Sequence, residues 1–339
     1  MDSVIGLDIG THSIKLVEVE RLKNAVILLA AGALPTPPKA LMNATPEDIE
    51  SIAFVVGKLW KEAGARTKNV NIALPESQVF TRVIEVPQLS SRELTSAIKW
   101  EAEQYIPMPL DQVTVDFSVL RSSVETGTNK MEVLLVASPK ALVEKYVTIL
   151  EYAELTPVAV ETEIIAVSRA LVSSFGSVRS VMIVSLGAQT TDIAIARNGV
   201  LCFTRSISSG GEALSRAVAQ SFGFELAQAE QFKKTYGLEK DKLEGKIIAA
   251  VAPIMDSMIG EMKRAIAFYQ EKYKDEQIGV ILLSGGTART PGMVVYIAEN
   301  LGIEVQLANP WVGISRDNRF KVLDNEGPVF SVAVGLAFR

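Results

Sequence analysis

Short β-rich runs broken by turn signals open the chain: VIGLDI at 4–9, SIKLVEVE at 13–20 and AVILLAAG at 25–32. That alternation predicts three adjacent antiparallel strands. At Thr45 the apolar period changes from two to 3.6. Thr45, Pro46 and Asp48 supply an N-cap, a first-turn proline and an acidic first-turn residue. Ile49, Ile52, Ala53, Val56, Leu59, Trp60 and Ala63 then form the apolar stripe of a helix that Gly64 ends. NVNIALP at 69–75 reads as the next strand. From Pro87 the pattern regroups. Ser90 and Glu93 form a capping box for a helix through Trp100 to Tyr105. Strands at 113–123 and 131–138, joined by a Gly127/Asn129 turn, and a helix from Lys140 to Ala153 follow, so residues 87–157 read as an inserted α/β module.

An internal echo organises the rest. VIGLDIGTHSIKLVEV at 4–19 aligns with VMIVSLGAQTTDIAIA at 181–196, so that Gly10 matches Gly187 and Ser13 matches Thr190. Both segments read strand, glycine turn, strand, and in the second copy the Asn198/Gly199 turn leads to a third strand. Two related halves each begin with a three-strand meander. Helices are expected at 210–223, 227–237 and 243–272, the last with a kink or break at Pro253. A buried strand at 279–283, a helix to Asn300, a strand at 303–307 and a terminal helix at 329–338 complete the pattern.

Composition narrows the function classes. The 339 residues are enough for two domains. Hydrophobic residues at 48% and charged residues at 22% are globular values, and a net charge of −5 argues against a general nucleic-acid binder. A single cysteine, Cys202, and a single histidine, His12, exclude an internal disulfide and a Cys/His zinc site. The longest apolar run, AVILLAAGAL at 25–34, is too short to cross a membrane. The first residues, MDSVIGLDIG, lack the basic region of a secretion signal. The expectation is a soluble cytoplasmic protein, with a peripheral membrane role open.

Candidate chemistry sits at the glycine turns. In DIGT at 8–11, Gly10 permits close approach of backbone amides to an anion, and Thr11 and Ser13 add hydroxyls. Asp8 could orient waters on Mg²⁺, and Lys15 could offset phosphate charge if its side chain faces inward. A solvated aspartate beside an ordinary hairpin is the plainer alternative for this turn alone. The facing turn, LGAQTTD at 186–192, offers a second set of amides, so a phosphate chain could lie between the two. Gly210/Gly211 and Gly285/Gly286 suit a helix N-terminus or close contact with a flat ring. His12 could donate to phosphate or simply be exposed. Met255, Met258 and Met262 have core spacing, and Cys202 reads as a small buried strand residue.

In this order, DIGT, LGAQTT, SGGE, AEQFK and LSGGTARTPG resemble the five ATP-cleft motifs of the actin, sugar-kinase and heat-shock-chaperone superfamily. The resemblance assigns Asp8, Gly10, Thr11 and Ser13 to the first phosphate loop and Gly187, Ala188 and Gln189 to the second. It places Gly210, Gly211 and Glu212 near ribose and phosphates, Glu230 and Lys233 at ribose and adenine, and Gly285, Gly286 and Thr287 in the adenosine loop. The stretch from 81 to 123, together with the ending SVAVGLAFR, is similar to the type IV pilus assembly PilM family, itself similar to the cell-division protein FtsA.

That resemblance implies an α/β, actin-like two-domain fold built from duplicated ribonuclease H-like βββαβα halves. A first domain would comprise 1–86, 158–180 and the helix at 328–339, a second domain 181–327, and the 87–157 insertion an FtsA-type 1C subdomain. It implies ATP and Mg²⁺ as ligands, and a scaffold at the inner face of the inner membrane that holds the cytoplasmic tail of a PilN-like bitopic protein in a groove of domains 1A and 1C. Contacts with pilus motor ATPases and the platform protein, and self-association, are further implications. Trp100, Tyr105 and Ile106 on the module helix read first as core packing of the small subdomain and second as candidates for the partner surface. Two positions bear on hydrolysis. Ser185 stands where relatives commonly carry an acid, which weakens metal-water coordination, and Glu161 fits the residue that positions attacking water, with a surface or helix-cap glutamate as the alternative. Slow or absent turnover is expected. The competing readings are a small-molecule kinase, for which no substrate base is found, and an FtsA-like filament protein, which would carry a C-terminal amphipathic helix.

Overall fold

The computed structural model describes residues 3–43, 45–274 and 276–339, without the side chains of Ser91 and Lys99. The first half opens with the expected meander, β1 (Val4–Ile9), β2 (Ser13–Leu22) and β3 (Ala25–Pro35). After a short helix α1 (Ala40–Asn43) comes α2 (Pro46–Ala63). Its capping box pairs Thr45 with Asp48, and Gly64 closes it in the left-handed region. Strand β4 (Asn69–Leu74) joins β1 in parallel. Apolar side chains from this sheet pack against Ile52, Val56 and Leu59 of α2.

Next come β5 (Phe80–Pro87), α3 (Ser91–Tyr105), β6 (Val113–Arg121), α4 (Ser123–Thr126) and β7 (Lys130–Pro139). They form a separate sheet in the order β5-β7-β6 with a core of their own, in which Leu94 and Ile98 of α3 meet Val133 and Leu135 of β7. This module starts at β5, earlier than Pro87, because β5 pairs with β7 along its whole length. It also ends earlier than 157. Helix α5 (Lys140–Tyr152) turns Leu142, Tyr146 and Ile149 into the first-half core against α2. Strand β8 (Thr156–Thr162) then returns as the edge of the first sheet, and α6 (Glu163–Leu171) leaves it.

The second half repeats the plan with β9 (Ser180–Leu186), β10 (Thr191–Arg197) and β11 (Val200–Ile207), followed by α7 (Gly211–Phe222), α8 (Leu226–Tyr236) and α9 (Lys246–Lys272). Helix α9 runs through Pro253 without a break. Strand β12 (Val280–Ser284), helix α10 (Met293–Leu301) and strands β13 (Val305–Leu307) and β14 (Ile314–Ser315) follow. The two main sheets have the orders β14-β3-β2-β1-β4-β8 and β11-β10-β9-β12-β13. Helix α11 (Gly327–Ala337) and α6 fill the space between them, in one apolar cluster with Ile183 of β9, Ala194 of β10 and Val17 of β2.

Two glycines allow that packing. A Cβ on Gly6 of β1 would lie 1.9 Å from the Ala333 carbonyl of α11, and one on Gly335 of α11 would lie 1.8 Å from the Ala166 carbonyl of α6. Both clashes are with backbone and cannot be relieved by a rotamer change. Gly335→Ala is therefore expected to cost about 3 kcal/mol or more. Gly57→Ala, in the interior of α2 with only an ordinary 3.9 Å contact in its way, should be neutral or stabilise by up to ~1 kcal/mol. Denaturant unfolding of the two variants checks this, and similar stabilities would contradict it.

Candidate functional site

The β1–β2 and β9–β10 turns face one another across a cavity of about 1150 Å³ between the halves. Their backbones are prepared in the same way. In the first turn, Thr36 at the end of β3 donates its hydroxyl to the Gly10 carbonyl at 2.6 Å and its amide to the His12 carbonyl at 3.1 Å. In the second, the amides of Gly211 and Glu212, the first of α7, donate to the carbonyls of Gly187 and Ala188 at 3.0 and 2.8 Å. Thr287 adds its hydroxyl to Gly187 O at 2.9 Å. The carbonyls are thus engaged. The amides of Thr11, His12, Ala188 and Gln189 make no hydrogen bond among the described residues. Two sets of free N–H groups beside tied-back carbonyls give a concavity with the geometry that can bind an anion.

Glycines sit where a side chain would close this geometry. A Cβ on Gly211 would lie 2.1 Å from Thr287 Oγ1, and Gly285, with φ of +85°, would place one 2.3 Å from the Leu186 carbonyl. Gly286 has open space beside it and borders the cavity. Opposite, Lys233 is buried and donates to Gly211 O and Glu230 Oε2, both at 2.7 Å, while Ser215 also donates to Glu230. Burial opposes the Glu230 charge, but Lys233 and Ser215 hold its carboxyl down at about 2.

All the cleft residues expected from the motifs line this cavity except Gly210, which is packed under the Ala188 carbonyl. Lys15 does face inward, but its ammonium is held 2.9 Å from Asp8 Oδ2. Glu161 does not enter the cleft. Its two oxygens accept from Arg169 at 2.6 and 2.8 Å, behind the end of β8. Two residues later, where β8 turns into α6, Glu163 lines the cavity instead. On the module, Ile106 is in the core, Tyr105 is half-buried under the Arg82 guanidinium, and Trp100 is 73% exposed.

Three acids escaped the sequence reading. Asp192 pairs across the ladder with Ser185, as Lys15 pairs with Asp8. The second hairpin therefore does carry a carboxylate at the cleft, on the opposite strand from the first. Asp192 is bonded by Ser206 at 2.5 Å and Thr190 at 3.2 Å, yet burial raises its carboxyl to about 6. Glu163 is raised well above the usual carboxylate range by burial and then by the charges of Asp8, Asp192 and Glu76. Glu76, behind the cleft wall between β4 and β5, is raised to about 7 by burial and then by Asp192. The Thr81 and Thr162 hydroxyls lie close to it without closing hydrogen bonds.

The sequence pattern of the type IV pilus assembly protein PilM family matches residues 6–339. The chain belongs to the PilM family. A solved chain of a PilM–PilN type IV pilus biogenesis complex is 30% identical and superposes with a TM-score of 0.88, covering 99% of this chain and 98% of that one. The cell division protein FtsA of Streptococcus pneumoniae is 24% identical over 90% of this chain and 75% of its own length. MreB 5 of Spiroplasma citri, solved bound to AMPPNP, is 13% identical with a TM-score of 0.53 and covers 99% of this chain and 95% of its own. This PilM-family chain therefore has the actin-like fold. Among its described residues no helix is long and apolar enough to cross a membrane.

The fit of a divalent cation can be read from the donors. Among the described residues no group of three or more acidic, histidine or cysteine side chains is placed to hold a metal. Asp8 and Asp192 could therefore take part in magnesium binding only with waters and ligand oxygens completing the shell.

The acid cluster gives a pH prediction. Glu76 loses its proton near 4.5 in the unfolded chain and near 7 in the folded one. The folded protein thus holds a proton that the unfolded chain has released, and stability falls as pH rises from about 4.5 through 7. Glu76→Gln removes this cost. Its stability relative to the parent protein should rise by up to ~3 kcal/mol at pH 8 and converge with it near pH 4. Thermal unfolding across pH measures the difference, and a pH-independent one would contradict the assignment.

Proposed function

We propose that this chain is an ATP-binding scaffold of type IV pilus assembly that holds the cytoplasmic N-terminal tail of a PilN-like membrane protein and links it to the pilus motor at the inner face of the inner membrane. The observation that carries the reading is the 0.88 superposition, over 99% of the chain, on a chain of a PilM–PilN complex. The paired turns support the nucleotide part. Their free amides would hold the phosphates, Glu230 and Lys233 the ribose and base, and Gly285 and Gly286 the adenosine face. Asp8 and Asp192 would hold Mg²⁺ through water, where the ion neutralises phosphate charge.

Hydrolysis on this reading is slow. Glu163 is the acid best placed to act on a water in the cleft, but burial and the charges of Asp8, Asp192 and Glu76 raise its carboxyl well above the usual carboxylate range, which favours the protonated form over the base that would take a proton from water. Nucleotide then acts by stabilising the arrangement of the two halves to which it binds. The similarity to FtsA supports a filament-forming alternative.

Calorimetry separates the two activities. The wild-type protein should bind both Mg·ATP and a synthetic PilN-like tail. Gly10→Asp or Lys233→Ala should weaken ATP at least about tenfold. Glu103→Lys, on the exposed face of the module helix, should weaken the tail and leave ATP unchanged. Failure of the wild-type protein to bind any tail, with ATP still bound, would move the filament reading ahead.

A further inference from the structure

The inserted module is attached to the two halves by different means. Covalently it belongs to the first half: the chain enters it through residues 75–79 after β4 and leaves through Pro139 into α5. Both crossings border the cleft, since Pro75, Ser77, Gln78 and Pro139 line the same cavity as the two turns. Non-covalently, the far end of the module is fixed to the second half. Glu132 of β7, with its side chain 4% exposed, is bonded by Arg121 of β6 at 2.7 Å and by Lys272, the last residue of α9, at 2.9 Å. Lys272 also reaches Glu85 of β5 at 2.6 Å, and Arg121 donates to the Tyr273 hydroxyl at 2.6 Å.

This joint continues into the second-half core. Arg197 of β10 stacks 4.7 Å from the Tyr273 ring centre and pairs with Glu276, which accepts from the Tyr269 hydroxyl at 2.9 Å. Tyr269 is 1% exposed among the apolar side chains under the second sheet. Along the same side, the Thr204 hydroxyl of β11 donates to the Thr81 carbonyl of β5 at 3.2 Å.

We propose that the module is a strap across the cleft, hung by its two chain crossings from the first half and clamped by Glu132, Arg121, Lys272 and Tyr273 to the second, so that any change in the angle between the halves moves the module relative to the first half. A buried carboxylate with paired cations specifies one geometry, and removing a partner leaves charge uncompensated. The module therefore travels with α9. The groove between module and first half changes shape when the cleft opens or closes. The strap itself rests on the geometry of the joint, and its response to ligand rests on the nucleotide reading above.

Spin-label distances in the full chain test it. Labels are placed through Val124→Cys on the module, Val295→Cys on the second half and Phe54→Cys on the first, all exposed positions. Cys202 is buried with its thiol pushed up to about 12 and stays unlabelled. Without ligand, the 124–295 distance should be single and narrow, should broaden in Lys272→Met, and should broaden less in Tyr273→Phe. An unchanged width in both variants overturns the clamp. With Mg·AMP-PNP, the wild-type 124–295 distance should hold while 54–124 shifts, and in Lys272→Met the 124–295 distance should shift instead. The same response in both proteins, or no shift in either with nucleotide shown calorimetrically to be bound, overturns the coupling. If calorimetry shows no nucleotide bound, the nucleotide reading fails, and the ligand-free arm alone decides the strap.

Discussion

The architecture hangs on the terminal helix α11, which is stitched at its two ends to opposite halves. At its start the Pro328 carbonyl accepts from the Gly285 amide and the Ser284 hydroxyl of the second half. At its end the Gly335 and Leu336 carbonyls accept from Arg169 and Asn71 of the first. Carbonyls of the first and last turns of one helix thus accept from opposite halves, which makes α11 the joint between domains. The glycine contacts at Gly6 and Gly335 bring the helix within backbone distance of β1 and α6. With the halves held at this pin, the β1–β2 and β9–β10 turns come to face each other, and the cleft follows.

Within the cleft, the decisive feature is an asymmetry of the peptide groups. Each turn has two carbonyls bound from behind, Gly10 and His12 by Thr36, and Gly187 and Ala188 by the N-terminal amides of α7. Different elements reach the same end in the two halves. The free amides offer positive potential, and the nearby acids Asp8, Asp192 and Glu163 oppose an anion unless a cation or protons accompany it. On the proposed reading, phosphate would enter accompanied by a divalent ion.

Much of this was legible in the sequence because the strongest signals were periodic or repeated. The meanders, the N-cap at Thr45, the capping box at Ser90 and the matched glycines at 10 and 187 all depend on local chemistry that a single chain displays. The misreadings arose where tertiary placement decides which of two nearby positions carries the acid into the cleft. Glu161 and Glu163 sit in the same acidic stretch, and only the turn from β8 into α6 sends the second into the cleft while Arg169 takes the first. The echo that aligns Asp8 with Ser185 also aligns Lys15 with Asp192, so the displaced carboxylate was present in the sequence but on the other strand of the hairpin. Glu76 carried no signal, since nothing in LPESQ distinguishes a buried glutamate from an exposed one. The module edges shifted for a tertiary reason: the apolar face of α5 matches α2 better than the small sheet.

On the proposed reading both turns bind one anionic ligand together. Amide hydrogen exchange on the full chain, with and without Mg·AMP-PNP, reads it most directly. The amides of Thr11 and His12 and those of Ala188 and Gln189 should gain protection together at the same nucleotide concentration. Protection confined to one turn, or none at either while nucleotide is bound, would contradict it.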